Sequence, residues 1–244
     1  MPSFGVLFFP GSNCEGDCYH AIKKILGQPC ELIWHEETSL EGIDCVVVPG
    51  GFSYGDYLRA GAIARFSPVM NPLERLAAEG VPVIGICNGF QILVESGLLP
   101  GAFLHNSSLR FVCRWTRVKV EDAATPFTCL LRKGEVLKLP VANAQGNFAP
   151  GAGGVPRTVL RYCGPEGQPD DEANPSGAQD GIAGVANARG NVLGMMPHPE
   201  RGVEKIFGSE DGRMIFESVA SWIESRRRES SGAAGRKPSA SSQK

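Results

Sequence analysis

The stretch Val83-Ile84-Gly85-Ile86-Cys87-Asn88-Gly89-Phe90-Gln91 joins a short apolar run to a helix-forming one. The run Val81–Ile86 is typical of a strand buried on both faces, and Asn88–Ser96 has helical periodicity and ends before Gly97. Between them lies the pattern Gly-x-Cys-x-Gly, which is typical of a nucleophile elbow with cysteine in place of serine. The glycines allow strand and helix to approach closely, and the helix N-terminus favours a thiolate. The sequence therefore predicts that Cys87 is a nucleophile, although a buried structural cysteine is the alternative.

Strands and helices alternate through the N-terminal half of the chain. Apolar runs at Gly5–Phe9, Leu32–Trp34 and Cys45–Val48 predict strands, and amphipathic stretches after Asn13 and at Pro72–Glu79 predict helices. Strands that alternate with helices imply a parallel sheet with right-handed crossovers. We therefore expect an α/β fold.

The C-terminal half has a different pattern. Phe111–Val120 alternates in polarity, as a half-exposed strand does, and Asp211–Arg228 is an amphipathic helix. Further strands are predicted at Val136–Val141, Thr158–Tyr162, Ile182–Ala186 and Val192–Met196. We expect one domain over residues 1–228, followed by a disordered, basic, serine-rich tail over residues 229–244.

Composition excludes several classes of protein. The 244 residues are 42% hydrophobic and carry a net charge of −2, which argues against nucleic acid as the main partner. No apolar run is long enough to span a membrane, and no leader precedes the first strand, so we expect a cytoplasmic location. The 8 cysteines are scattered, and the pair Cys14 and Cys18 lacks the partners that a zinc site needs. No metal site is therefore expected.

A thiolate nucleophile needs a base, and the chain contains 4 histidines. His198 lies in Met196-Pro197-His198-Pro199-Glu200, where the prolines bias the backbone toward extended geometry. Residues two apart then project to one side, so Glu200 would orient the imidazole. The sequence predicts His198 as base and Glu200 as its partner, in a surface loop. A rigid structural turn is the alternative.

The turn Pro49-Gly50-Gly51-Phe52 follows a buried strand. Adjacent glycines adopt unusual dihedral angles and expose backbone N–H groups, which can stabilise a developing oxyanion. The amide of Asn88, after the nucleophile, is a second candidate donor. The same peptide is also consistent with a turn that simply ends the strand.

These motifs, in this order, resemble those of class I (triad) glutamine amidotransferases. Within that class the chain resembles the PurQ-type glutaminase subunits of phosphoribosylformylglycinamidine synthase, over roughly residues 4–224. The narrower resemblance rests on five motifs: Pro10–Cys14, Gly50–Arg59, Cys87–Gln91, Asn106–Ser108 and Met196–Arg201. It implies a flavodoxin-like class I amidotransferase fold, with a mostly parallel central sheet, helices on both faces and additional antiparallel strands.

The resemblance also implies roles for individual residues. Cys87 would attack the side-chain amide of glutamine, His198 would protonate the leaving ammonia and then activate water, and Glu200 would orient His198. The amide of Gly51 or Phe52 and that of Asn88 would form the oxyanion hole. Four residues would help place the glutamine: Gln91, Asn106, Ser107 and Ser108.

The resemblance further implies partners. Ammonia would pass to a large PurL-type synthetase subunit, which uses ATP and Mg to convert formylglycinamide ribonucleotide to the amidine, and a small PurS-type subunit would bridge the two. No cofactor is expected in this chain, which contains no Gly-x-x-x-x-Gly-Lys-[Ser/Thr] phosphate loop. Asn143 stands where the family commonly has a histidine; since it lies outside the triad, hydrolysis should survive.

Three other functions remain open from the residues alone. The chain could be an amidotransferase subunit of another pathway, or another cysteine hydrolase on a similar elbow, such as a peptidase, deglycase or esterase. It could also be a non-catalytic interaction module that holds an anion at Pro10–Asn13.

Overall fold

The structure is a computed structural model that describes residues 1–151 and 156–234. Its strands are β1 (Phe4–Phe8), β2 (Cys30–Trp34), β3 (Cys45–Val48), β4 (Val83–Ile86), β5 (Ala102–Leu104), β6 (Val112–Val120), β7 (Val136–Asn143), β8 (Asn147–Ala149), β9 (Arg157–Tyr162), β10 (Ile182–Ala186) and β11 (Val192–Met195). Its helices are α1 (Glu15–Tyr19), which continues as a π-helical turn over His20–Ile25, α2 (Met70–Glu79), α3 (Asn88–Glu95) and α4 (Arg213–Ala234). Single 3₁₀ turns lie at Ser53–Asp56, Ala64–Phe66, Asp171–Ala173, Gln179–Gly181, Pro199–Arg201 and Lys205–Phe207.

Nine strands form one sheet in the order β2-β1-β3-β4-β11-β10-β9-β6-β7. The strands from β2 to β11 in that order are parallel, and the remaining strands pair antiparallel. This confirms the predicted α/β fold with additional antiparallel strands. β4 lies between β3 and β11, so the predicted elbow leaves the sheet near its middle.

Burial follows the sequence pattern strand by strand. Every residue of β3, β4 and β11 is buried, as expected for continuous apolar strands in a covered parallel sheet. In β6 buried and exposed positions alternate toward its C-terminal end. The predicted half-exposed strand is confirmed there.

Two glycines set how closely α3 packs on the sheet. A Cβ at Gly89 would lie 1.9 Å from the carbonyl oxygen of Val48, and one at Gly194 would lie 2.0 Å from the ring of Phe90. Any larger residue at either position would push α3 outward. The close approach that the Gly-x-Cys-x-Gly pattern predicts is therefore present, and it fixes where Cys87 lies.

β5 and β8 form a second, two-stranded sheet that the sequence did not predict. Phe103 and Phe148 are register partners in it, and their rings lie 4.8 Å and 5.3 Å from that of Phe90. This aromatic cluster packs Phe90 of α3 against the second sheet. Strands of three residues are too short to show a periodicity.

α4 continues through residues 229–234, which the sequence analysis assigned to the disordered tail. Extending a formed helix requires little free energy per residue, and polar contacts such as that of the Ser230 hydroxyl with the Arg227 carbonyl accompany the extension. Residues 235–244 of the predicted tail lie outside the described residues. Among the helices of residues 1–151 and 156–234, none has the length and apolarity that a membrane span requires.

Candidate active site

Cys87 forms the elbow between β4 and α3. Its backbone has φ +51° and ψ −106°, a conformation that is strained for any residue except glycine. Its N–H donates to the carbonyl of Met195 at 2.8 Å, and its own carbonyl accepts from the N–H of Gln91 at 3.2 Å. The end of β11 and the first turn of α3 thus hold the strained conformation in place. The predicted sharp turn at Cys87 is confirmed.

His198 follows β11 and is buried, so the expected surface loop is wrong. Its N–H donates to the carbonyl of Pro140 at 2.8 Å, which ties it to β7. The predicted pairing with Glu200 is present, with 2.7 Å between Nδ1 and Oε1, but the geometry differs from that expected. His198 is extended, whereas Glu200 lies in the 3₁₀ turn Pro199–Arg201, so a tight turn rather than an extended segment brings them together.

The environment of His198 favours a charged imidazole. Burial by itself lowers its pKa, but the Glu200 carboxylate and then Cys87 outweigh this and hold the pKa well above the usual range. Because a carboxylate only accepts, Nδ1 donates to Glu200 and Nε2 is left for the reaction. Within the described residues, Nε2 is buried and has no hydrogen-bond partner. It is therefore the atom that can exchange a proton.

Gly50 shows how tightly the site is assembled. A Cβ at Gly50 would lie 2.8 Å from Cε1 of His198 and 3.5 Å from Cβ of Cys87. The turn after β3 therefore runs directly against both the nucleophile and the base. Three separate segments meet here, at the carboxyl ends of the adjacent parallel strands β3, β4 and β11.

The two candidate oxyanion donors on this turn are not equivalent. The N–H of Phe52 donates to the carbonyl of Gly11 at 2.9 Å, so it is already engaged and the expectation for Phe52 is wrong. Gly51 has φ +143° and lines the pocket of Cys87. The Asn88 amide begins α3 and has no acceptor within the helix. Gly51 and Asn88 are therefore the remaining donors.

A cavity of about 150 Å³ opens above Cys87. Asp56 and Gln91 line it, together with the segment 142–145 and Arg201. The side-chain oxygen of Gln91 accepts from Asn88 Nδ2 at 3.0 Å, and its Nε2 donates to the carbonyl of Gln145 at 2.7 Å. Gln91 lines the pocket as predicted, but both ends of its amide already have partners.

The other three predicted glutamine-binding residues do not line this cavity. Asn106 is buried behind it, where it donates to the Asn143 carbonyl at 2.9 Å and accepts from the Gly146 N–H at 2.8 Å. Ser107 and Ser108 are exposed. The structure therefore gives Asn106 the role of holding the pocket wall and brings neither serine to the pocket.

Asn143 is part of that wall. Its Oδ1 accepts from the Ser176 hydroxyl at 3.1 Å, while its buried Nδ2 has no partner within the described residues. The position at which this chain departs from the family motif thus reaches the pocket of Cys87.

Cys14 also lies in the candidate active site, a position that was not predicted from the sequence. Its Sγ accepts from Arg201 Nη2 at 3.2 Å, and burial raises its pKa, an effect that the nearby His198 opposes in part. Donor atoms of Cys14, His198 and Glu200 lie within 4.8 Å of one another, a set that could hold a soft metal ion. Two of the three are the predicted base and its partner, so the set shares two members with the triad. The sequence feature that could have indicated a role for Cys14 is the Pro10–Cys14 motif, which directly precedes α1.

A larger groove of about 820 Å³ adjoins the pocket. His198, Arg201 and Ala142 line both spaces, and Trp115 and Phe207 add exposed aromatic surface to the groove. The base is therefore close to two spaces, a small pocket that contains the nucleophile and a wide groove that does not.

Known proteins share this fold. The model of the CobB/CobQ-like glutamine amidotransferase domain matches residues 1–224, and the chain belongs to this family. Within the family, it is 51% identical to the phosphoribosylformylglycinamidine synthase subunit PurQ of Moorella thermoacetica, over 91% of this chain and 96% of the relative. It is 52% identical to the PurQ subunit of Salinibacter ruber, over 90% and 96%. In the solved structure of PurLQS from Thermotoga maritima, one chain is 41% identical, with a TM-score of 0.83, over 91% of this chain and 99% of that one.

Proposed function

We propose that this chain is the glutaminase subunit of a phosphoribosylformylglycinamidine synthase in purine biosynthesis. One observation supports this above the others: the strained Cys87 and the buried His198, which is paired with Glu200, face one pocket in a chain about half identical to PurQ subunits. The pocket has a volume of about 150 Å³, and polar side chains such as Asp56 and Gln91 line it. We place the activity in the cytoplasm.

The first half of the reaction forms a thioester. The Cys87 thiolate attacks Cδ of the glutamine side chain, and the carbonyl oxygen becomes an oxyanion that the N–H groups of Gly51 and Asn88 stabilise. The C–N bond then breaks while protonated His198 Nε2 gives its proton to the leaving nitrogen. The products are ammonia and a glutamyl thioester on Cys87.

The second half hydrolyses that thioester. Nε2 of neutral His198 takes a proton from water, whose oxygen attacks the thioester carbon, and the C–S bond breaks to release glutamate. Glu200 keeps Nδ1 protonated throughout and stabilises the imidazolium. The chain ends with the Cys87 thiolate and protonated His198, as at the start.

The ammonia requires an acceptor on another chain. We propose that a PurL-type synthetase, with a PurS-type subunit between the two, binds ATP and Mg and forms the amidine from formylglycinamide ribonucleotide. The relative in PurLQS is a member of such an assembly. This chain then supplies glutamine chemistry alone and needs no cofactor of its own.

The test is covalent capture by an electrophilic glutamine analogue, followed by intact mass and peptide mapping. We expect a single adduct on Cys87 that excess glutamine suppresses and that the Cys87→Ser variant does not form. Cys113→Ser, which removes an exposed cysteine, is the matched control and should be labelled like the wild type. Scattered or absent labelling, repeated with the synthetase present, would favour another cysteine hydrolase or an interaction module.

Adding the synthetase subunits, ATP and formylglycinamide ribonucleotide tests the pathway. Glutamine-dependent formation of the amidine is the expected result. Capture at Cys87 without amidine formation would instead indicate an amidotransferase of another pathway.

A further inference from the structure

Asp56 is the one carboxylate among the described residues that line the pocket of Cys87. It ends a 3₁₀ turn in which three successive residues are left-handed, with φ values of 52° at Tyr54, 69° at Gly55 and 55° at Asp56. Left-handed backbone is unfavourable for residues other than glycine, and such strain concentrates at ligand-binding positions. The turn directs the chain so that Asp56 reaches the pocket.

The charge of Asp56 is not compensated by a cation. Its Oδ1 accepts from Asn88 Nδ2 at 3.2 Å, and in residues 1–151 and 156–234 it forms no ion pair. Burial raises its pKa, and the hydrogen bond from Asn88 opposes this only in part. A half-buried carboxylate next to a pocket is stabilised by a cationic ligand.

Asp56 is also linked to the nucleophile. The side-chain amide of Asn88 donates to Asp56 on one side and to Gln91 on the other, and Asn88 follows Cys87 directly. The side chains of Asn88 and Gln91 are uncharged and form a hydrogen bond with each other, so neither can form an ion pair with a charged group of the ligand. The Asp56 carboxylate can.

We propose that Asp56 binds the α-ammonium group of the substrate and so makes the site specific for glutamine over simple primary amides. This inference rests on the proposed function. Glutamine has a cation at the end opposite its reactive amide, whereas an amide without the amino group has none. Asp56 therefore acts in substrate selection, and Cys87 and His198 perform the bond chemistry.

The test compares glutamine with 4-carbamoylbutanoate, which is glutamine without its α-amino group, in the assembled complex. We expect Asp56→Asn to raise KM for glutamine about 10- to 100-fold, the value of one charge-assisted hydrogen bond, with a small effect on kcat. For 4-carbamoylbutanoate, KM should not change. The preference of the wild type for glutamine should therefore nearly disappear, and Asp56→Glu should restore part of it.

Two controls separate binding from a structural role. Alkylation of Cys87 by iodoacetamide, which has no amino-acid end, should be equally fast in the wild type and in Asp56→Asn. Glu36→Gln removes an exposed carboxylate that accepts a hydrogen bond from Trp34, and it should keep the full preference for glutamine.

The possible outcomes are distinct. Unchanged preference in Asp56→Asn overturns the proposal, as does an equal loss for both amides or slower alkylation by iodoacetamide. If the wild-type complex hydrolyses neither amide, the proposed function itself fails, whatever the role of Asp56.

Discussion

Nδ1 of His198 and Oε1 of Glu200 lie 2.7 Å apart, in residues that are only 2% and 3% exposed. The second carboxylate oxygen, Oε2 of Glu200, is buried and has no hydrogen-bond partner among the described residues. The imidazole is therefore the main group that compensates the Glu200 charge. Removing either residue alone has consequences for folding as well as for catalysis.

His198→Ala should destabilise the protein as well as inactivate it. It leaves the Glu200 carboxylate buried without its partner, which typically costs about 3–5 kcal/mol. Chemical denaturation measures this loss. The double variant with Glu200→Gln removes the buried charge and should recover part of the stability. If His198→Ala alone were as stable as the wild type, the pair would not be buried in solution.

Glu200→Gln should lower kcat for glutamine-dependent amidine synthesis at least about 100-fold, because the imidazolium loses the charge that stabilises it. KM for glutamine should change little, since Glu200 does not line the pocket of Cys87. Glu224→Gln, which removes a carboxylate that pairs with Arg228 on α4, is the matched control and should be fully active. A wild-type kcat in Glu200→Gln would exclude Glu200 from the triad.

The pH dependence of stability should also report on this pair. The pKa of His198 is raised in the folded state, so its contribution is complete below the ordinary histidine pKa of about 6.5 and is lost as the pH rises through the folded value. Denaturation between about pH 6 and pH 9 should show the wild type losing stability relative to Glu200→Gln. Buried thiols also titrate at the alkaline end, but they are common to both proteins. A constant difference across this range would contradict the raised pKa.

The elbow predicts an unusual order of stability among variants of Cys87. Glycine adopts φ +51° without strain, whereas alanine does not, so Cys87→Gly should be about 1–2 kcal/mol more stable than Cys87→Ala. At an ordinary helix position the order is reversed. Both variants should be inactive. Thermal unfolding of the two proteins measures the difference, and a more stable alanine variant would mean that the elbow relaxes in solution.

We expect the synthetase to dock on two exposed leucines that are close in sequence to the pocket-lining residues Asp56 and Phe111. Leu58 and Leu109 are 90% and 82% exposed, and both have left-handed backbone, with φ values of 68° and 54°. We expect Leu58→Glu to weaken assembly with the synthetase subunits at least about 10-fold, because the complex loses the free energy of burying one leucine side chain. Sedimentation of the mixture measures this.

The control for docking is Leu130→Glu, which changes a leucine of 46% exposure away from the pocket. It should assemble normally, and Leu58→Glu alone should still capture the glutamine analogue at Cys87. Normal assembly of Leu58→Glu would place the docking surface elsewhere.

Local sequence patterns predicted the parts of the site that depend on neighbouring residues. The elbow at Cys87 follows from its glycines and the change in periodicity. The pairing of His198 with Glu200 was also predicted, although a 3₁₀ turn rather than extended backbone brings the two together. The sheet follows from continuous apolar runs such as Cys45–Val48. Each of these is decided within a short segment of chain.

The errors involve contacts between distant segments. The Phe52 amide is engaged because Gly11 approaches it from another turn, and Asn106 faces Asn143 rather than the substrate. The burial of His198 likewise depends on Gly50 and Pro140. No local pattern contains this information, because two segments must first be placed side by side.

Ile86 and Met195 are register partners on β4 and β11, and this pairing has a consequence during biosynthesis. During translation, the segment that contains Cys87 emerges from the ribosome well before the segment that contains His198. β11 then has to insert between β4 and β10, a long-range step of the kind that closes late in folding. Until it does, the thiol has no base, so an incomplete chain cannot release ammonia.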